Sequence, residues 1–157
     1  MNVAKTAAAL GAKVAHLSRW GGPPSVFISA ALRREPIDMH GDGQQTRSFI
    51  YISGMVDGLL RAFGHDHTGS RIFTPGKTEE ITILDLAARI AGLCGAALPP
   101  VLRFVPHATF GAGYEDVRRR IPDISLARRV LGFQPRVGTA EGLKRTIEWQ
   151  RTAPGIA

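Results

Sequence analysis

The sequence has a single cysteine, Cys94, so no disulfide can form within the chain. It also has no run of 18 or more apolar residues of the kind that spans a membrane. The first 17 residues are mildly apolar, but Lys5 and Lys13 interrupt them, which is not typical of a signal peptide. These absences lead us to expect a cytoplasmic protein without a membrane partner.

Aromatic residues are also scarce, at 7% of the chain, whereas basic residues are in excess and give a net charge of +7. A basic excess favours an anionic partner such as a phosphate or a nucleic acid. However, the basic residues are scattered and form one run only, Arg118-Arg119-Arg120. Because few aromatics accompany them, a base-stacking platform is not indicated and nucleic acid is disfavoured.

The hydrophobic periodicity predicts one domain in which helices alternate with a few short strands. Ser25, Ser53 and Thr82 are candidate N-caps, and Asp85 follows Thr82 in a pattern close to a capping box. The predicted helices cover about 25–34, 53–64, 83–94, 125–131 and the stretch from 139, with 2–10 as a short helix or a frayed end. The predicted strands are 37–40, 47–52, 71–74 and 101–105. We therefore expect a mixed α/β fold without a large parallel sheet.

The segment GDGQQTRSFIYI, residues 41–52, contains two glycines one residue apart. A dinucleotide-binding loop would need a third glycine where Thr46 stands, and it would open into a helix rather than into an alternating stretch. A P-loop is excluded because the sequence has no G-x-x-x-x-G-K-[ST] motif. Two interpretations remain open on this segment alone: a plain turn, or a turn that presents Arg47 to an anion.

Four segments, in the same order, resemble the nucleotide-sugar enzymes of the extended short-chain dehydrogenase/reductase family, UDP-glucuronate decarboxylase above all. GDGQQTRSFIYI resembles the family's G-D-G-x-Q-T-R-S-F-x-Y-V, and EEITILDLAARIAGLCG resembles its E-E-x-T-I-x-E-L-A helix. EDVRRRIPDISLARRVLGFQPRV resembles D-D-P-x-x-R-x-P-D-I-x-x-A-x-x-x-L-G-W-x-P, and GLKRTIEW resembles the final helix, G-L-x-x-T-I-x-W. The resemblance covers about residues 25–150; residues 1–24 match poorly, and 151–157 form a tail.

The resemblance implies that residues 25–150 are the small C-terminal lobe, which holds the nucleotide-sugar, without the Rossmann sheet. By resemblance, Arg47 and Arg120 would contact the diphosphate of a UDP-sugar. Met39 and His40 would lie beside the base, with His40 where the family usually has Tyr. Val26 stands where the family usually has a substrate-contacting Asn.

The sequence lacks the family's glycine fingerprint and its Tyr-x-x-x-Lys pair, since Met55 and Arg118 follow Tyr51 and Tyr114 at that spacing. We therefore assign no catalytic, cofactor-binding or metal-binding residue. NAD is the cofactor of the family, but we expect this chain alone to bind none, and a separate Rossmann chain could supply it. His65-Asp66-His67 could suggest a metal site, but further ligands at a known spacing are missing, and we interpret it as a solvated loop. Glu115-Asp116 could suggest paired catalytic carboxylates, but we interpret it as a solvated acidic pair.

Three functions remain open from the sequence. The first is a UDP-sugar-binding lobe of a decarboxylase, epimerase or dehydratase-like enzyme, inactive alone, and either a fragment of a longer enzyme or a degenerate relative. The second is a non-enzymatic basic module that binds nucleic acid or another polyanion. The third is a truncated relative without function.

Overall fold

The computed structural model describes residues 22–66, 71–110 and 116–152. The α-helices in these ranges are α1 (Pro23–Arg33), α2 (Ile52–Gly64), α3 (Ile83–Cys94), α4 (Ser125–Leu131) and α5 (Thr139–Thr152). The strands are β1 (Ile37–His40), β2 (Thr46–Ser48), β3 (Glu80–Thr82), β4 (Leu102–Val105) and β5 (Arg119–Arg120), and a 3-10 turn spans His107–Phe110. The predicted mixed α/β fold with short strands is confirmed.

The strands form two small sheets. In the first, β1 pairs in parallel with β4. In the second, β2 lies in the centre, antiparallel to β3 on one side and parallel to β5 on the other. The turn from Gly41 to Gly43 carries the chain from the first sheet into the second, and both glycines adopt a positive φ of 70° and 73°. A residue other than glycine would be strained in that left-handed backbone conformation.

Helix α3 begins and ends as its sequence predicts. The Thr82 side chain accepts a hydrogen bond from the backbone amide of Asp85 at 2.9 Å, which satisfies one of the first free amides of the helix. At the other end, Gly95 adopts the left-handed conformation at a φ of 71°, and its amide bonds back to the last turn. This helix is therefore fixed at both ends by local hydrogen bonds.

The main hydrophobic core lies between α1, α3, α5 and strand β1. Ile28, Met39, Leu86 and Ile90 are each 0% exposed in this cluster. A second, smaller cluster is centred on Phe133, between α2 and α4. Ile81 of β3 is also part of the main core, so the second sheet, with its three short strands, packs against that core.

Two predicted helix caps were wrong. Gly22 rather than Ser25 is the N-cap of α1, because the helix already begins at Pro23, whose fixed φ suits a first helical turn. Tyr51 rather than Ser53 precedes α2, and its side chain forms no capping bond. The N-cap therefore lies two residues earlier than predicted, and the strand predicted at 47–52 is shortened to β2.

The predicted strand at 71–74 was also wrong, since residues 71–79 form no strand with any described part of the chain. A strand requires a neighbour for its backbone hydrogen bonds, and sequence pattern alone does not provide one. The helix predicted at 2–10 lies outside the described residues. Within the described ranges, no helix has the length and hydropathy that crossing a bilayer requires.

Candidate functional site

Arg47 and Arg120 are brought together by the second sheet. They are register partners on the parallel strands β2 and β5. Side chains of residues that lie opposite each other on neighbouring strands project from the same face of a sheet. Two arginines that are 73 positions apart in the sequence are therefore neighbours on one face.

The Arg47 guanidinium is held by several partners and is only 14% exposed. Its Nη2 donates to Asp116 Oδ1 at 2.6 Å, and its Nη1 donates to the backbone carbonyls of Thr46 at 2.8 Å and Val117 at 2.7 Å. The Asp116 side chain is 21% exposed. These contacts fix the guanidinium plane, and they also place a carboxylate directly against it.

The other two arginines of the 118–120 run are bound to carboxylates from neighbouring segments. Arg118 Nη1 donates to Asp42 Oδ2 at 2.7 Å, and Arg119 Nη2 donates to Glu80 Oε2 at 3.0 Å. The hydrogen bond from Arg118 holds the pKa of Asp42 below its ordinary value. The pKa of Glu80 is lowered mainly by the hydrogen bond from the Thr46 hydroxyl, and further by the hydrogen bond from Arg119. These pairs attach the 118–120 segment to the glycine turn and to β3.

Arg120 differs from its neighbours. Its side chain is exposed, and no carboxylate within the described ranges pairs with it. Of the two register partners, Arg47 is therefore rigid and mostly buried, and Arg120 is exposed to solvent.

Met39 and His40 lie at the end of β1, where the chain enters the glycine turn. Met39 is 0% exposed, and its sulfur lies so close to Gly43 that a Cβ there would be 2.8 Å from it. Only its backbone could reach a ligand from this position. His40 is exposed, and its carbonyl accepts a hydrogen bond from Gln45 Nε2 at 2.9 Å. Their assignment to a nucleotide base stays a prediction.

Sequence reasoning missed Asp116. It was interpreted as a solvated acidic residue, which is wrong because its side chain forms a close ion pair with Arg47. No local pattern indicates this contact, since the two residues are 69 positions apart. Glu115 lies outside the described residues, as does His67 of the candidate metal motif. Within the described ranges, no cluster of three potential metal ligands occurs.

The glycine turn does not suit a dinucleotide. It leads from β1 into β2, which is another strand, so it offers no helix N-terminus to a pyrophosphate. This turn therefore does not fit the pyrophosphate of NAD, and we derive no step through that cofactor.

No protein-family model matches the chain. The known proteins that it resembles include UDP-glucuronic acid decarboxylases and UDP-sugar epimerases. UDP-glucuronic acid decarboxylase 5 of Arabidopsis thaliana is 40% identical over 133 residues, which are 84% of this chain and 36% of that relative. The solved UDP-glucose 4-epimerase of Thermotoga maritima, with UDP-glucose, is 30% identical. It has a TM-score of 0.72 over 83% of this chain and 40% of its own.

A second solved structure, MoeE5 in complex with UDP-glucuronic acid and NAD, is 33% identical. Its TM-score is also 0.72, over 82% of this chain and 40% of that chain. The chain belongs to the extended short-chain dehydrogenase/reductase family. The family resemblance of the four sequence motifs is thereby confirmed. The chain spans much less than two thirds of the curated relatives that it matches. It covers between 26% and 38% of their length.

Proposed function

We propose that this chain binds the diphosphate of a UDP-sugar between Arg47 and Arg120, as the nucleotide-sugar unit of a decarboxylase, epimerase or dehydratase-like enzyme. The observation that carries the proposal is the register pairing of these two arginines on β2 and β5. Two guanidinium groups side by side can each donate parallel hydrogen bonds to phosphate oxygens. Relatives in this family contain UDP-glucose or UDP-glucuronic acid, which supports the same ligand class here.

The two arginines have different roles in this proposal. Arg47 is preorganised by two backbone carbonyls and by Asp116, so little conformational entropy is lost when it meets a phosphate. Arg120 has an exposed side chain that can move towards the second phosphate. Asp116 must share Arg47 with the ligand or release it, so the unliganded ion pair sets part of the affinity.

We further propose that this chain does not catalyse the family's reaction alone. The sequence has neither a glycine fingerprint nor a Tyr-x-x-x-Lys pair. The chemistry that NAD supplies in the family would have to come from a second unit that carries both. In this proposal, the chain's own residues bind and orient the substrate.

The polyanion-binding alternative has less support from the ion pairs. Arg118 and Arg119 already donate to Asp42 and Glu80, so the basic run presents less unpaired charge than its sequence suggests. A polyanion site would show a steep loss of affinity with rising salt, because bound counterions are released.

Titration calorimetry tests the proposal with UDP-glucuronic acid and UMP at one fixed salt concentration. We expect the UDP-sugar to bind more tightly than UMP, because only the former has the second phosphate. Arg47→Ala should weaken UDP-sugar binding by about 10- to 100-fold, since a charge-assisted hydrogen bond contributes roughly 1.5–3 kcal/mol.

Arg103→Ala is the matched control, because Arg103 is an exposed arginine whose partner is Asp38 in the other sheet. It should leave the affinity unchanged. Equal affinities for UMP and the UDP-sugar, or an equal effect of both arginine substitutions, would contradict the proposed site.

A further inference from the structure

A small cavity lies where helices α1 and α3 end side by side. Its volume is about 260 Å³, and the last turns of both helices line it together with the residues that precede β4. Much of its lining is aliphatic and comes from Ala31, Ile37, Ala91, Ala96, Ala97 and Val101. Ala31, Ile37 and Ala91 are each at most 5% exposed, so the floor of the cavity is buried and apolar.

Two side chains of opposite charge line the same cavity. Arg34 and Glu35 directly follow the last residue of α1, and both are exposed. Although they are adjacent in the sequence, they do not pair with each other. Within residues 22–66, 71–110 and 116–152, neither side chain belongs to an ion pair. The cavity therefore offers one guanidinium group and one carboxylate to a ligand.

The backbone of Arg34 adopts a conformation that is unusual for arginine. It ends α1 in the left-handed region, with a φ of 57° and a ψ of 31°. Helices α3 and α4 end in the same conformation, but with Gly95 and Gly132 at the equivalent position. Among the non-glycine residues that the structure describes, Arg34 alone has a positive φ. Glycine is the usual residue there, and strained residues of this kind cluster at functional sites. This conformation indicates a role for the arginine side chain beyond ending the helix.

We propose that the cavity binds an aliphatic α-amino acid such as leucine. The carboxylate of the ligand bonds to the Arg34 guanidinium, and its ammonium group bonds to the Glu35 carboxylate. The aliphatic side chain of the ligand occupies the apolar floor. The C-terminal ends of α1 and α3 carry partial negative charge, which also favours an ammonium group here. Pockets for drug-sized ligands have volumes of about 300–1,000 Å³, so this smaller cavity suits a compact ligand.

This site is separate from the diphosphate site. Ile37 lies at the beginning of β1, whereas the glycine turn follows the end of β1. The length of the strand, roughly 10 Å, therefore separates the two sites. Substitution of Arg34 should retain the UDP-sugar affinity of the parent chain, and Arg47→Ala should retain its leucine affinity. Either proposal can therefore fail without the other.

A nuclear magnetic resonance titration of the isotope-labelled full chain tests the proposal with three compounds that share one aliphatic side chain. They are L-leucine, leucinamide, which lacks the carboxylate, and isocaproate, which lacks the amino group. We expect leucine to shift the amide signals of Gly95 and Ala96 in a saturable way. The signal of Gly132, which ends α4 outside the cavity, should not move.

The two analogues should bind at least tenfold more weakly than leucine, because each has lost one charge-assisted hydrogen bond. Equal affinities for the three compounds would contradict the proposed recognition of both charges. The absence of saturable shifts at Gly95 and Ala96 would refute the site itself.

Two substitutions assign the charges. Arg34→Gly should weaken leucine binding at least tenfold and leave the affinity for leucinamide unchanged, since leucinamide has no carboxylate. Glu35→Gln should weaken leucine binding to a similar extent and leave the affinity for isocaproate unchanged. Arg33→Ala is the matched control, because Arg33 is an exposed arginine of the same helix end that does not line the cavity. A similar loss of leucine binding in Arg33→Ala, or a loss of all three compounds in Arg34→Gly, would overturn the assignment.

Thermal melts separate a role in binding from a role in folding. Arg34→Gly should raise the melting midpoint by about 2–4 °C, because glycine adopts the left-handed conformation without strain. A variant that is more stable and yet binds leucine poorly has not lost the site by unfolding. A lower midpoint would show that the arginine serves the helix end, and the argument from its conformation would then be wrong.

Discussion

Asp116 should act as a competitor of the ligand for Arg47. Its carboxylate lies 2.6 Å from Arg47 Nη2, and both side chains are largely shielded from solvent. Asp116→Asn removes the negative charge and retains an oxygen that can accept the same hydrogen bond. Since Arg47 also donates to the carbonyls of Thr46 and Val117, its position should be preserved. We therefore expect the substitution to tighten UDP-sugar binding.

The magnitude follows from the charge that is removed. A phosphate bound on the accessible side of the guanidinium would lie about 5 Å from the Asp116 carboxylate, where two unit charges interact by roughly 3 kcal/mol at an effective dielectric of about 20. Partial exposure and salt reduce this repulsion to about 1–2 kcal/mol. The expected gain in affinity is therefore about 5- to 30-fold.

Titration calorimetry at low ionic strength measures this gain. Glu141→Gln is the matched control, because it removes the same charge from an ion pair with Arg145 on α5, at a distance of 2.7 Å. It should leave the affinity unchanged. If Asp116→Asn leaves the affinity unchanged or weakens it, Asp116 is not a competitor and Arg47 does not contact the phosphate.

Two further predictions concern folding. Gly58→Ala should lower the free energy of unfolding by about 1–3 kcal/mol, because its Cβ would collide with Pro75 and the Phe133 ring. Gly64→Ala is the control, since a Cβ there has open space, and it should be neutral or stabilising by up to about 1 kcal/mol. Thermal melts of the two variants check this. The free energy of unfolding should also fall on acidification, because hydrogen bonds and ion pairs lower several carboxyl pKa values in the folded state. The stability that these carboxylates contribute is present above about pH 4 and is lost as the pH falls through the lowered pKa values. Denaturant titrations between pH 7 and pH 2 measure this, and an unchanged free energy below pH 4 would contradict it. The carboxyl groups concerned are Asp38, Asp42, Glu79, Glu80 and Asp123.

Features that depend on neighbouring residues could be predicted from the sequence, and those that depend on distant partners could not. The Thr82 cap and the Gly95 stop are local, and both are confirmed. The strand at 71–74 was predicted from its short sequence before Pro75-Gly76, but a strand also needs a neighbour, which pattern cannot supply. Asp116 was misinterpreted for the same reason, because its partner is Arg47, on a strand 69 positions away.

The ion pairs of the second sheet also bear on the proposed choice of a compact ligand by a basic chain. Arg118 and Arg119 are tied to Asp42 and Glu80, and these bonds fix β5 beside β2 in the register that aligns Arg120 with Arg47. The two outer pairs are exposed, so their direct contribution to stability is small. Their larger effect is geometric, because they fix the strand that carries Arg120. In the proposed site, two arginines that are already paired would leave little free positive charge for a long polyanion, and a ligand with only two phosphates would be favoured.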